Sequence, residues 1–251
     1  MPKQRKHKRP APGQMVTVNG RNMHVFTKGE GKDTYVFLSG SGTPYPTTDF
    51  KPLWSLLAED SKIAVVEKAG YGWSDISDNA PRDIDTLLQE TREALHQAEI
   101  PPPYILVPHS LSGLEALYWA QMYSDEVRAI IGLDSTFPEY YDTAQILFGL
   151  VKFMARVGII TSDMLNEGDY IHQNSDKVKA NHFPADVPAY MFISDGKFAR
   201  PAKVKNWGEL LLAHAQQFTK GKHMFTNCAH YVHKYKAKEI AAEIKQFIAD
   251  I

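Results

Sequence analysis

Residues 105–113 read ILVPHSLSG, and the fold turns on whether Ser110 in this stretch is a nucleophile or an ordinary serine between a strand and a helix. Upstream, YILVP (104–108) is a short apolar run of the kind a strand buried on both faces gives; downstream, SGLEALYWAQMY (112–123) has the composition of a helix. A strand that passes directly into a helix at Ser110 sets the serine on a tight turn, its hydroxyl projecting above the strand end. Such a turn strains the serine and crowds its neighbours, so small residues are wanted two positions before and two after. Pro108-His109-Ser110-Leu111-Ser112 falls short of Gly-x-Ser-x-Gly. Ser112 is small enough, whereas Pro108 removes a backbone N–H near the end of a central strand, where proline is normally avoided. Taken alone, the motif leaves two uses open: a catalytic serine and a helix N-cap.

The surrounding chain supplies the strands and helices that such a turn needs. YVFLSG (35–40), KIAVVEKAG (62–70), VRAIIGLD (127–134) and VPAYMFISDG (187–196) are also continuous apolar runs closed by small or polar residues, the pattern of strands covered on both faces. Ahead of them, MVTVNG and NMHVFTKGEG alternate around Asn19-Gly20, which predicts a hairpin at a sheet edge. Phe50, Leu53, Trp54 and Leu57, and then Ile84, Leu87, Leu88, Thr91, Leu95 and Ala98, recur every three to four residues, as the apolar stripes of helices do. Pro81, Asp83 and Asp85 suit the start of the second helix, and Pro101-Pro102-Pro103 its end. Ile240, Ile244, Phe247, Ile248 and Ile251 mark a closing helix. Buried strands alternating with amphipathic helices predict an α/β fold with a mostly parallel central sheet flanked by helices.

The 251 residues, 43% hydrophobic and 23% charged, suffice for one large domain that buries roughly 70–75% of its unfolded surface. A formal charge of −1 gives no global field to draw the chain to nucleic acid, and no apolar stretch approaches the roughly 18–20 residues of an integral membrane segment. A small-molecule substrate is the expected partner. The single cysteine, Cys228, excludes an intramolecular disulfide, and the lack of a Cys/His ligand cluster argues against structural zinc. The basic first nine residues are followed by no signal-peptide core. Residues 1–14 are expected to be a disordered basic tail, with a weak anchor to anionic surfaces as the alternative, and the expected location is cytoplasmic.

Residues 135 to 183 break the rhythm, because a crossover between consecutive parallel strands needs far fewer. Within them Ile146, Leu147, Leu150, Val151, Met154 and Val157 recur at helical spacing. We expect a helical cap inserted at 135–183 over the C-terminal sheet edge of a core made of 15–134 and 184–251; the alternative is a set of packing helices with no role in a site.

Four segments in order give the chain a resemblance. VPHSLSGLEALYWA (107–120) resembles the nucleophile-elbow strand and helix of the α/β-hydrolase superfamily, and YVFLSGSGT (35–43) resembles its strand and oxyanion loop, usually written with His-Gly. VVEKAGYGWSD (65–75) resembles a loop often seen as Asp-x-x-Gly-x-Gly-x-Ser, and CAHYVH (228–233) resembles the segment bearing the catalytic histidine. The matches span residues 15 to 251; the departures are Ser39 for the loop histidine, Ala229 for the glycine before the histidine, and the altered elbow. The resemblance implies the α/β-hydrolase fold with a helical cap, and no cofactor or metal.

The resemblance also assigns roles. A free hydroxyl is a poor nucleophile at neutral pH and needs a base; His230 takes that place in the order Ser…Asp…His, whereas His109 reads as a packing or hydrogen-bonding residue and His233 as structural. Two carboxylates end strands and could orient the imidazole, Asp134 and Asp195. The favoured one is Asp134, with Asp195 as the alternative acid. The oxyanion donors implied are the amides of Leu111 and Ser41. A serine hydrolase (a carboxylesterase-like enzyme) of small or apolar acyl substrates is the expected activity. A peptidase, thioesterase or carbon–carbon hydrolase would use the same triad, and a ligand receptor on this fold is the non-enzymatic rival. An aspartate-nucleophile relative is disfavoured because position 110 is serine.

Overall fold

In the computed structural model, which describes residues 10–77, 80–143, 161–195 and 207–251, the Asn-Gly pair makes the first corner. Asn19 and Gly20 both hold positive φ, 50° and 75°, the twist of a two-residue hairpin. Strands β1 (Gln14–Val18) and β2 (Arg21–Lys28) pair antiparallel across it. The remaining strands are β3 (Thr34–Leu38), β4 (Lys62–Glu67), β5 (Tyr104–Pro108), β6 (Val127–Leu133), β7 (Ala189–Ile193) and β8 (Gly221–Phe225). They form one sheet in the order β1-β2-β4-β3-β5-β6-β7-β8, parallel from β4 to β8.

The long helices are α1 (Lys51–Leu57), α2 (Ile84–Gln97), α3 (Gly113–Met122), α4 (Ser162–Asp169), α5 (Ile171–Ala180), α6 (Trp207–Ala215) and α7 (Ala237–Ala249). The continuous apolar runs have a simple cause: alternate residues of each central strand enter two separate cores. Tyr35, Phe37, Ile105, Val107, Ala129 and Ile131 pack with α1 and α7 on one face. Val36, Leu38, Leu106 and Ile130 pack with α2, α3 and α6 on the other. Each fully buried Val, Leu or Ile contributes roughly 1.5–3 kcal/mol, and both faces draw on the same strands.

The helix expected from Phe50, Leu53, Trp54 and Leu57 is α1, preceded by a separate short turn at Pro46–Asp49; Pro52, with no N–H to donate back, stands in its first turn. As the last strand in the sheet, β8 is mostly exposed.

Pro108 sits in β5 without breaking the sheet. His109 turns its N–H to the Leu38 carbonyl of β3 at 3.0 Å, so by strand alternation the missing N–H of Pro108 belongs on the β6 side. There the ladder runs to Leu106↔Ile130 and resumes only as a single bridge at His109↔Leu133.

The sheet places a crevice where strand order reverses. The chain goes from β3 to β4 on one side and then to β5 on the other, so the loops leaving β3 and β5 lie side by side at the C-terminal edge, the position where open α/β sheets bind ligands. Between β6 and β7, helices α4 and α5 fold over the loop that follows β4. Ser77 N–H donates to Asp163, Asn166 Nδ2 to the Ala80 carbonyl, and the Ile84 N–H to Asn174 Oδ1. The apolar stripe predicted at 146–157 lies outside the described residues.

Candidate active site

Ser110 stands at the end of β5 with φ = +56°, a left-handed conformation that costs a non-glycine residue of order 1–3 kcal/mol and persists only where its surroundings impose it. Here they do. The Ser110 carbonyl accepts the Thr136 N–H at 2.8 Å and the Thr136 hydroxyl at 3.1 Å. Ser112 Oγ accepts the His109 N–H at 3.0 Å and donates to the Leu38 carbonyl at 2.6 Å. The serine that replaces the expected glycine at 112 thus stitches the turn to β3.

Two glycines let backbone close in around the turn. A Cβ on Gly40 would stand 2.7 Å from Cβ of Ser110 and 2.9 Å from the His109 carbonyl, so the loop after β3 lies directly against the serine. A Cβ on Gly113 would fall 1.9 Å from the Thr136 carbonyl, which fixes glycine where α3 meets the strand leaving β6. Ser39–Gly42 forms the rest of that loop, with Ser41 exposed. Leu111, half-buried, lies in the single 3₁₀ turn Ser110–Ser112 that leads into α3.

Both candidate carboxylates sit at strand ends, but only one of them meets the imidazole. Asp134 is buried and also holds a positive φ, +48°. Its Oδ1 accepts the Ser194 N–H at 2.8 Å and the Trp207 Nε1–H at 2.9 Å. Its Oδ2 accepts the Ser194 hydroxyl at 2.6 Å and faces Nδ1 of His230 at 2.6 Å. Asp195, two residues beyond the end of β7, is exposed. The four donors around Asp134 compensate the cost of burying a carboxylate, and its contact requires the proton on Nδ1 of His230, leaving Nε2 as the basic nitrogen.

His230 is held from its other side by His109. The His109 Nε2 donates to the His230 backbone carbonyl at 3.2 Å, and the two rings pack at 4.6 Å between centroids. Burial, and then the neighbouring His230 and His233, push the His109 imidazolium well below the ordinary histidine pKa, so the ring is a neutral, fixed donor rather than a competing base. His233 binds Asp49 through Nε2 at 2.7 Å and Lys234 reaches the same carboxylate. Among the described residues no group of three His, Cys, Asp or Glu side chains is arranged to hold a metal, and no helix is long and apolar enough to cross a membrane.

Three participants had no signal in the sequence: Trp207 and Ser194, which hold Asp134, and Thr136, which holds the Ser110 carbonyl. They come from α6, the end of β7 and the strand exit after β6, and meet only because β5, β6 and β7 are neighbours in the sheet.

No family model matches the chain. The uncharacterized protein YbdG of Bacillus subtilis is 50% identical over 134 residues, 53% of this chain and 41% of that protein. The uncharacterized protein YqjL of the same organism is 31% identical over 133 residues, 53% of this chain and 50% of that protein. The matched stretches thus amount to half or less of those relatives' lengths. Among solved structures, a meta-cleavage product hydrolase from Pseudomonas fluorescens superposes with TM-score 0.71 at 14% identity, over 96% of this chain and 98% of the other. An enol-lactonase from Burkholderia xenovorans gives 0.68 at 16% identity, over 94% and 100%. A putative ancestral haloalkane dehalogenase gives 0.72 at 14% identity, over 94% and 98%. With that sheet order, that elbow and these neighbours, the chain has the α/β-hydrolase fold.

Proposed function

We propose that the protein is a serine hydrolase that cleaves carboxylic esters of small or apolar acyl groups, with Ser110 as nucleophile, His230 as general base and Asp134 as the carboxylate that orients it. The observation that carries this reading is the buried Asp134 carboxylate 2.6 Å from Nδ1 of His230, in a segment tied to the residue preceding a strained, half-exposed Ser110. Nε2 of His230 takes the hydroxyl proton as Oγ attacks the acyl carbon, and the imidazolium formed is stabilised by Asp134. The imidazolium then gives that proton to the departing alcohol, leaving an acyl-enzyme. Water, deprotonated by the same nitrogen, hydrolyses the ester and restores the serine.

The oxyanion of each tetrahedral intermediate would be held by the Leu111 and Ser41 amides; removal of one such donor in related sites costs about 10²–10³ in kcat. Residues 15–134 and 184–251 serve in this reading as the catalytic core and 135–183 as a cap that covers the acyl chain. A serine at 110 directs the chemistry through an acyl-enzyme rather than the alkyl-enzyme ester an aspartate would form. The test is hydrolysis of short p-nitrophenyl esters by the wild type and by Ser110→Ala. The folded variant should lose several orders of magnitude in kcat/KM, and near-normal turnover would remove Ser110 from the mechanism.

A further inference from the structure

A buried charged cluster next to the loop that follows β3 plays no part in the chemistry above. Lys68 and Glu167 form an ion pair, Nζ to Oε1 3.2 Å, with side chains only 6% and 1% exposed. The Tyr71 hydroxyl, also buried, donates to Oε2 of Glu167 at 2.7 Å, and the Lys68 ammonium stands 5.1 Å over the Tyr71 ring. Lys68 and Tyr71 belong to the loop after β4; Glu167 comes from α4, in the segment between β6 and β7. A buried pair of this kind is a weak source of stability, because desolvation offsets most of the attraction. Its geometry is what distinguishes it.

The same hydroxyl faces the loop after β3. Tyr71 Oη accepts the Gly42 N–H at 3.4 Å. The Gly72 N–H adds a second tie to this loop, donating to the Pro44 carbonyl at 3.0 Å. Burial, and then the Glu167 carboxylate, push the Tyr71 phenol well above its ordinary pKa, so the hydroxyl stays protonated and its single proton is committed to Glu167. That leaves the oxygen's lone pairs for the loop. Glu167 is itself anchored, because α4 is capped by Thr161 and clamped through Asp163 and Asn166. A continuous chain therefore runs from Glu167 through Tyr71 to Gly42, and from there along the loop to Gly40 against Ser110.

We infer that Tyr71, seated by Glu167 and Lys68, is a positioning residue that fixes the Ser41–Gly42 peptide and so aims the oxyanion-binding loop, making that loop's conformation depend on the placement of α4. The inference rests on the serine-hydrolase reading, in which the Ser41 amide binds the oxyanion. It predicts an effect on the transition state rather than on ground-state binding. Tyr71 touches no reacting atom and acts only through the loop.

Tyr71→Phe removes one oxygen and leaves the ring in place. It should lower kcat by about tenfold to a hundredfold, less than outright loss of an oxyanion donor, with KM within about twofold. The affinity for a trifluoromethyl ketone, which forms a tetrahedral oxyanion adduct with an active serine, should fall by the same factor as kcat. Glu167→Gln, whose amide oxygen still accepts from the phenol, should lose less and supplies the test if Tyr71→Phe does not fold. The double variant should be no worse than Tyr71→Phe, since both act through one contact chain. Asp169→Asn, at an exposed position of the same helix, should leave kcat and ketone affinity within about twofold. Unchanged kcat and ketone affinity in Tyr71→Phe, or an equal loss in Asp169→Asn, would overturn the inference while the enzyme remains a serine hydrolase. A wild type that neither hydrolyses esters nor reacts with a fluorophosphonate overturns the serine-hydrolase reading, and the inference with it.

Discussion

Replacing Asp134 by asparagine exchanges one carboxylate oxygen for an NH₂ group and sets a sharp problem for the side chain. Oδ1 accepts two N–H donors, from Ser194 and Trp207, and an amide nitrogen cannot accept either. The asparagine must therefore keep its oxygen there and turn its NH₂ toward the Ser194 hydroxyl and Nδ1 of His230. The serine oxygen can accept from it, so the fold loses little. The imidazole cannot keep a proton on Nδ1 against an NH₂ donor and moves it to Nε2, the nitrogen that receives the Ser110 proton in the proposed mechanism. The base is then blocked, with the loss of the charge that stabilises the imidazolium added to it. Loss of the correct tautomer in a triad of this type costs roughly 10³–10⁴ in kcat, or about 4–5.5 kcal/mol at 1.36 kcal/mol per decade. The assay is steady-state hydrolysis of p-nitrophenyl acetate and butyrate, with thermal unfolding to confirm that the variant is folded. Asp195→Asn, altering an exposed carboxylate, serves as the comparison and should stay within a few-fold of wild type. A folded Asp134→Asn enzyme within tenfold of wild type would refute this reasoning, and a large loss in Asp195→Asn with none in Asp134→Asn would move the role to Asp195.

His109→Phe keeps a ring packed against His230 but strips the donor from the His230 carbonyl. A part-buried carbonyl left unpaired costs about 1–3 kcal/mol, so chemical denaturation should report a loss of that size and kcat should fall as the His230 segment shifts; unchanged stability would mean water replaces the bond at no cost. His214, stacked on Phe137 at 4.3 Å, has its imidazolium pushed down to about 3 by burial. Its folded pKa lies below its unfolded one, so the unfolded chain binds the extra proton and stability falls as pH drops from about 6.5 to about 3, by up to roughly 1.4 kcal/mol per pH unit. Urea unfolding of His214→Phe should lack that component; parallel pH profiles for the two proteins would contradict it.

The residues that specify a fold locally are legible in the sequence. Asn19-Gly20 announced its hairpin because only a few residues tolerate two successive positive φ angles, and the doubly buried strands announced themselves as unbroken apolar runs. Asp134 and Asp195 were another matter. Each ends an apolar strand, so composition could not separate them, and what does is sheet order, which sets β6 beside β5 and brings the end of β7 round as a donor rather than an acceptor. Trp207 and Thr136 were silent for the same reason, since each acts on a residue far away in sequence. Pro108 read as a fault in a central strand because the interruption of the β5–β6 ladder is a property of the pair and not of either strand alone. Lys68 and Glu167, about a hundred residues apart, look in sequence like surface charges; only the fold of α4 over the β4 loop buries them together.

The central claim is that Ser110 is an activated nucleophile, and covalent labelling tests it most directly. Wild-type protein treated with an excess of a small fluorophosphonate at neutral pH should gain one adduct in the intact mass, and peptide mapping should locate it on the segment containing Ser110. Ser110→Ala should remain unlabelled, and His230→Ala should label far more slowly because the hydroxyl has lost its base. No adduct on folded wild-type protein, or an adduct on another residue that persists in Ser110→Ala, would contradict the account.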